Sequence, residues 1–260
     1  LPVATRYQDA CRVVQLCEEQ GVVVHFIPGF GFLSLGQATM LFNTLHDEPI
    51  LTIVPPAMSG WQLITKRTMD LVCSVILIAL FFPILVTIPL LIKLSSPGPI
   101  FFAQERIGLS KRKFRLLKFR TMVANAEQIQ KTLEHLNESD GPAFKIKNDP
   151  RITSIGNFLR RTSLDELPQL YNVLKGDMSL VGPRPLPLRD YAGFSQDWHR
   201  RRFSVRPGIT CLWQISGRST TTFDKWMELD MEYISHWSLW LDVKILAATV
   251  PAVLKQRGAV

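Results

Sequence analysis

Between Leu71 and Ile92 the chain runs 22 residues without a single charge. A continuous helix of that length would reach roughly 33 Å, enough to cross the hydrocarbon core of a bilayer. Pro83 lies near its middle and Pro89 follows, and a proline inside a helix removes a hydrogen bond and clashes with the preceding turn. The run is basic on both sides: Lys66 and Arg67 precede it, and Lys93, Arg106, Lys111, Arg112, Lys113, Arg115, Lys118 and Arg120 follow. Cationic flanks favour the cytoplasmic side of a membrane. A straight span would send one cluster across, whereas a re-entrant helix-break-helix bent at Pro83 keeps both on one side. A true span and a buried core helix are the alternatives.

Elsewhere the periods are those of soluble proteins. Residues 8–19 place Cys11, Val14, Leu16 and Cys17 at helical spacing, Gly21 ends that helix, and residues 22–26 read as a buried strand. Leu51 to Val54 reads as another strand, stopped by Pro55 and Pro56. This alternation suggests the end of a doubly wound α/β domain. Gly29-Phe30-Gly31 lacks the third glycine and following helix of a nucleotide loop, so it reads as a turn. Residues 57–66 read as a linker, 95–99 as a firm turn, 100–121 as a basic stretch with short strands, 124–136 as a polar helix and 137–142 as a loop. Helices are predicted over 155–161, 164–175, 223–237 and 239–256. The last two carry Trp226, Trp237 and Trp240, which suit a membrane interface and an ordinary core equally.

Charge divides the chain. Residues 1–65 carry 2 basic and 5 acidic side chains, and residues 66–260 carry 28 and 17, within a net +8. The basic part suits a polyanion: nucleic acid, anionic lipid or a phosphorylated substrate. Cys11, Cys17, Cys73 and Cys211 form neither a CxxC pair nor a zinc-spaced cluster, which predicts four reduced thiols. The first residues, Leu1-Pro2-Val3, show neither an initiating Met nor a charged leader, so the chain is expected to begin inside a longer protein.

The densest chemistry is Arg160-Arg161-Thr162-Ser163-Leu164-Asp165-Glu166-Leu167-Pro168-Gln169. Adjacent carboxylates at a helix start, beside two arginines, are held ionised by the helix dipole and the cations. Such a carboxylate can attack phosphorus, and its neighbour can hold a divalent cation. The same residues also fit a capping box, in which Glu166 bonds back to the Ser163 backbone. Gly182-Pro183-Arg184-Pro185 mounts one arginine stiffly between prolines; Arg206-Pro207-Gly208, Gly217-Arg218 and Lys118-Phe119-Arg120 supply further cations. Together these point to a polyanionic ligand. An interleaved aromatic-basic surface and a named DNA motif are missing, so nucleic acid is not expected as a partner.

Several ordered motifs resemble one family. Lys66-Arg67 with Asp70, Ser96-Pro97-Gly98-Pro99, Lys118 to Met122, Ser163 to Gln169, Gly182 to Pro185 and Arg206 to Arg218 are similar to the bacterial sugar transferases, the monotopic polyprenyl-phosphate phosphoglycosyl transferases. The resemblance covers about three quarters of the chain, from Lys66 onward. It implies an α/β fold with a mostly helical catalytic domain over 96–260, a re-entrant membrane helix over 66–95, and the C-terminal part of a Rossmann-like domain with its linker over 1–65. It implies an enzyme of the inner membrane, working on the cytoplasmic face with a UDP-sugar, polyprenyl phosphate and Mg²⁺, at the start of exopolysaccharide, capsule or O-antigen synthesis. Asp165 would be the nucleophile and Glu166 the Mg²⁺ ligand; Lys118, Arg120, Arg184, Arg206 and Arg218 would contact the diphosphate or nucleotide. Arg67 and Asp70 would fix the membrane hairpin to the globular part. Direct transfer with Asp165 as general base is the alternative mechanism. Asp230 falls in a family motif without an assignable role, and Cys211 stands where the family usually has glycine. The sugar stays open, as does a homodimer.

Overall fold

The computed structural model describes residues 13, 16–17, 24–26, 39–45, 48–54, 60–138, 146, 149–188, 197–217 and 222–254. Most of the 8–19 helix, the Gly29–Gly31 turn, most of the 137–142 loop and Arg218 lie outside them. Near the N-terminus, β1 (Val24–Phe26), β2 (Thr39–Leu45) and β3 (Glu48–Val54) form a sheet in the order β1-β3-β2. Both pairings are antiparallel. The parallel neighbours of a doubly wound sheet are not among the described residues of this segment, and β2 is a strand that the sequence pattern did not reveal.

The long apolar run becomes two helices, α1 (Gly60–Leu80) and α2 (Phe82–Ser95), bent by 62°. No single described helix is long and apolar enough to cross a membrane, but the bent pair passes together by length and composition. The break falls at Phe81 rather than at Pro83. A proline is tolerated in the first turn of a helix, where its missing N–H has no partner anyway, so Pro83 opens α2 and the bend precedes it. Helix α1 also starts earlier than expected, at Gly60, so most of the anticipated linker is helical. The reason is a stripe at i, i+4, i+8: Lys66, Asp70 and Ser74 are its buried residues. Trp61 (80% exposed), Ile64, Val75, Ile76 and Leu80 face outward, as do Phe82, Val86, Leu90 and Leu94 of α2. The fully buried residues of α1 are polar, those of α2 are Ile88 and Ile92, and both helices present apolar side chains outward.

Beyond it, β4 (Phe101–Ile107) and β5 (Lys113–Phe119) form an antiparallel hairpin, and β7 (Leu186–Pro187) adds to β4 in the order β5-β4-β7. A short parallel pair joins β6 (Ser179–Val181) to β8 (Gly208–Thr210). Around these lie α3 (Ala126–Gln130), α4 (Ser154–Thr162), α5 (Gln169–Lys175), α6 (Leu212–Ile215), α7 (Phe223–Ser235) and α8 (Leu239–Leu254). The expected 164–175 helix is divided into a 3₁₀ turn, Leu164–Glu166, and α5. Pro168 has no N–H to give to Leu164 O, so the helix cannot run through. The main core gathers Phe114, Leu116, Leu170, Val173, Met178, Val181, Tyr233 and Ile245. A second cluster packs Ile88 and Ile92 of α2 on Phe119 and Leu159. Each such side chain stabilises the fold by roughly 1.5–3 kcal/mol.

Three polar clasps bind the bent pair to this body. Arg67 donates to Val173 O (2.6 Å) and Leu174 O (2.8 Å), carbonyls of the last turn of α5, where a cation is favoured. Lys66 pairs with Asp242 of α8 at 2.6 Å and with Asp70 at 3.5 Å. Asp70 also accepts from Ser179 Oγ and Leu180 N. Asp242 accepts from Tyr233 Oη and Trp237 Nε1. The three late tryptophans divide accordingly: Trp226 is buried, Trp237 serves this cluster, and Trp240 is 65% exposed.

Candidate active site

The dyad sits where three segments meet. Thr153 caps α4 by accepting from Gly156 N, and the helix ends with Ser163 in a left-handed conformation, φ 57°. The chain turns there into the 3₁₀ turn that carries Asp165 and Glu166. Ser163 makes no side-chain cap, and the Glu166 carboxylate points away from it, so the capping-box reading fails. The left-handed residue aims the turn at β5 instead. Lys118 Nζ on β5 lies 2.7 Å from Glu166 Oε1, and Arg184 NH2 meets that same oxygen at 2.8 Å. Lys118 Nζ is 3.8 Å from Asp165 Oδ2, an ion pair too long for a hydrogen bond.

The two carboxylates therefore differ. Burial by itself would raise Glu166, but Arg184 and then Lys118 outweigh it and hold its carboxyl well below the usual range. Asp165 is 6% exposed and accepts no hydrogen bond among the described residues. Burial pushes its carboxyl up, the attraction of Lys118 opposes this, and the adjacent Glu166 charge adds to the rise. Arg184 is pushed up in turn by Glu166. Arg160, flagged in the sequence only as a neighbour, faces the dyad electrostatically. Burial lowers its guanidinium and Asp165 pulls it back up, while its Nε donates to Thr121 Oγ1 at 3.0 Å.

Of the predicted cations, Lys118 and Arg184 converge on the dyad. Arg120 does not: it is buried, and it donates to Ser96 O, Ser96 Oγ and Pro97 O, just beyond α2. Gly98, at φ 123°, makes room for it, since a Cβ there would meet its NH1 at 2.1 Å. Its NH1 and NH2 thus donate to the chain. Arg206 donates to Gly176 O, at the opposite end of α5 from the dyad. Asp230 pairs with Arg202 in the interior. Cys211 is buried, with its thiol pushed up to about 12 by that burial. Its φ of −160° is extended backbone open to any residue, so this position does not demand glycine.

A divalent cation can be tested against this donor set. No cluster of three His, Cys, Asp or Glu side chains exists among the described residues. Mg²⁺ typically takes one or two carboxylates and completes its shell with phosphate oxygens and water. Glu166 Oε2 and the Asp165 oxygens carry no hydrogen bond among the described residues, so the site fits that mode of binding once a diphosphate is present.

Comparison with known proteins identifies the family. The chain is 41% identical over 255 residues to the galactosyl transferase CpsE of Streptococcus agalactiae serotype III, covering 95% of this chain and 55% of that protein. It is 38% identical over 241 residues to the undecaprenyl-phosphate galactose phosphotransferase of Salmonella typhimurium, covering 91% and 50%. It is 40% identical over 224 residues to the UDP-glucose:undecaprenyl-phosphate glucose-1-phosphate transferase of Escherichia coli K12, covering 80% and 46%. The chain spans about half the length of these curated relatives. Residues 61–256, from the start of the bent helices to the end of α8, match the bacterial sugar transferase family as a whole, and the chain belongs to that family.

Proposed function

We propose that this chain transfers a sugar-1-phosphate from a UDP-sugar to polyprenyl phosphate and releases UMP. The observation that carries the reading is the unequal dyad. Glu166 is fixed by two cations, whereas Asp165 is buried, without a hydrogen bond among the described residues, and free to react.

An oxygen of the ionised Asp165 carboxylate attacks the sugar-bearing phosphorus. The bond from that phosphorus to the bridging oxygen breaks, and the electron pair leaves with UMP. A phosphate oxygen of the polyprenyl phosphate then attacks the same phosphorus, breaks its bond to Asp165, and restores the carboxylate. Lys118 and Arg184 stand where charge accumulates on the diphosphate oxygens, the dominant requirement in phosphoryl transfer. Glu166 holds both cations in place. Mg²⁺ on Glu166 Oε2 would supply further charge neutralisation.

The apolar outer face of α1 and α2 supports insertion into one leaflet of the inner membrane as a re-entrant pair, with the dyad on the cytoplasmic side. Terminal tags on the same side of inverted vesicles are expected, and opposite sidedness rejects the re-entrant arrangement. The names of the relatives include both galactose and glucose, so the sugar is a hexose in this reading.

The test is a UMP-release assay over a panel of UDP-sugars with undecaprenyl phosphate, followed by mass spectrometry after mixing with donor alone. A hexose-phosphate adduct on Asp165 is expected. Turnover without any adduct favours direct transfer with Asp165 as general base, and no UMP release from any donor rejects the proposal.

A further inference from the structure

Asp230 and Arg202 have no part in the chemistry proposed above, yet they are among the most deeply buried charges in the protein, at 1% and 3% exposure. Asp230 lies on α7, and Arg202 in the 3₁₀ stretch Asp197–Ser204. Burying an ion pair costs several kcal/mol per ion in lost hydration, and the pair's mutual attraction often only breaks even. What surrounds this pair indicates what it does.

Arg202 NH2 donates to the backbone carbonyl of Arg184 at 2.7 Å. Asp230 Oδ2 lies 2.8 Å from that same nitrogen without being aligned for a hydrogen bond. The aligned bond goes to the Arg184 backbone, and Asp230 supplies the counter-charge. The guanidinium also lies over the Trp226 ring at 5.3 Å from its centroid and reaches Met227 Sδ at 3.7 Å, so its plane is fixed.

The same pattern extends along the Gly182–Pro185 segment. Pro183 O accepts from Gly208 N at 2.9 Å, and Pro185 O accepts from Arg106 NH1 at 3.0 Å. Three successive carbonyls, at 183, 184 and 185, are therefore each held by a separate donor. Pro183 has no N–H and a fixed φ, and Arg184, as the residue before Pro185, is confined to extended backbone. Gly182 and Gly208 press together so closely that a Cβ on Gly208 would meet Gly182 N at 2.1 Å. The internal rotations of the segment are thus limited, and its orientation depends on what holds its carbonyls. The middle of the three belongs to the residue whose side chain grips Glu166.

We infer that Asp230 and Arg202 are positioning residues for Arg184: Asp230 holds Arg202 in place, and Arg202 fixes the backbone from which the Arg184 guanidinium reaches Glu166 and the diphosphate. This rests on the proposed function, since it assigns the pair to a site defined by that reaction. An uncharged residue 230 takes the Asp230 charge away from a buried guanidinium. Arg202 then swings away, the Arg184 carbonyl is released, and the side chain loses its aim without losing its charge.

The test is a double-variant cycle on the intact membrane-embedded protein, with UDP-galactose and UDP-glucose as donors and undecaprenyl phosphate as acceptor. Asp230→Asn is expected to lower kcat/KM for UMP release about 10- to 100-fold, the range found for groups that orient a functional ligand. In an Arg184→Ala background the same substitution should cost less than about 3-fold, because there is no longer a side chain to position. A role confined to folding predicts equal losses in both backgrounds, and equal losses overturn the inference. Arg202→Lys, which keeps the charge but loses the fork, runs through the same cycle and decides the matter if Asp230→Asn does not fold. No UMP release by the unaltered protein overturns the proposed function and this inference together. Additive losses in an active enzyme overturn the inference alone.

Discussion

Two buried charge clusters in this protein use the same residue types to opposite ends. In the first, Lys66, Asp70 and Asp242 join the bent helices to the body, and Ser179 Oγ, Leu180 N, Tyr233 Oη and Trp237 Nε1 donate to the carboxylates. In the second, Lys118 and Arg184 both donate to a single oxygen of Glu166, and Asp165 receives only a 3.8 Å ion pair. The first cluster is closed, with its carboxylates satisfied by the chain itself. The second is open, with one carboxylate fixed and one left available. In the clasp each carboxylate accepts hydrogen bonds from the chain, whereas in the candidate site Asp165 accepts none among the described residues.

Asp165→Asn should separate the two clusters most strongly. The open cluster keeps its cations and its shape but loses its nucleophile, so UMP release should fall by at least about 10³-fold, as for removal of other covalent nucleophiles. The melting temperature should barely change. Retained turnover at the unaltered rate would remove Asp165 from the centre of the reaction.

The closed cluster should behave in the reverse way. Lys66→Ala leaves Asp70 and Asp242 facing each other with no cation, and breaking a buried pair in this manner costs about 3–5 kcal/mol. The protein in detergent should melt at a distinctly lower temperature, while the fraction that remains folded keeps its KM for the nucleotide sugar. Unchanged melting would show that the cluster is not a clasp.

The smallest effect concerns pH. Asp165 reacts as the carboxylate, and its pKa in the folded protein lies above the ordinary aspartate value because of burial. The rate should therefore be full on the alkaline side and be lost as pH falls through that raised value. Glu166, held low mainly by Arg184 and then Lys118, stays ionised across the same range. The acid limb of kcat/KM reports the free enzyme. A limb at or below the ordinary carboxylate range would assign the titration to some other group.

Much of this was open to the sequence because it depends on neighbours along the chain. The uncharged run with its prolines, the adjacent carboxylates and the arginine between prolines are local facts, and local facts set bends, turns and stiff mounts. Reading went astray where local rules had tertiary competitors. Ser163 to Glu166 has the spacing of a capping box, but a left-handed Ser163 turns Glu166 toward Lys118, 48 residues away. Arg120 stands two positions from Lys118, a spacing that shares one face of a strand, but β5 ends at Phe119 and Arg120 turns instead to the end of α2. Asp230 had no legible role because its partner lies 28 positions back in a segment without a motif. Arg160 could have been found: it lies in the last turn of the helix that ends at the dyad.

Short stretches of the chain were enough to bring an apolar run with its prolines, a carboxylate pair and several rigidly mounted cations together in one protein. Composition, charge and backbone stiffness are properties of short stretches, and they survive without knowledge of the fold. Which cations reach the pair, which oxygen they share and which carboxylate is left free follow from the fold. Those outcomes depend on distances between residues far apart in sequence, and on how completely each buried charge is answered by its surroundings.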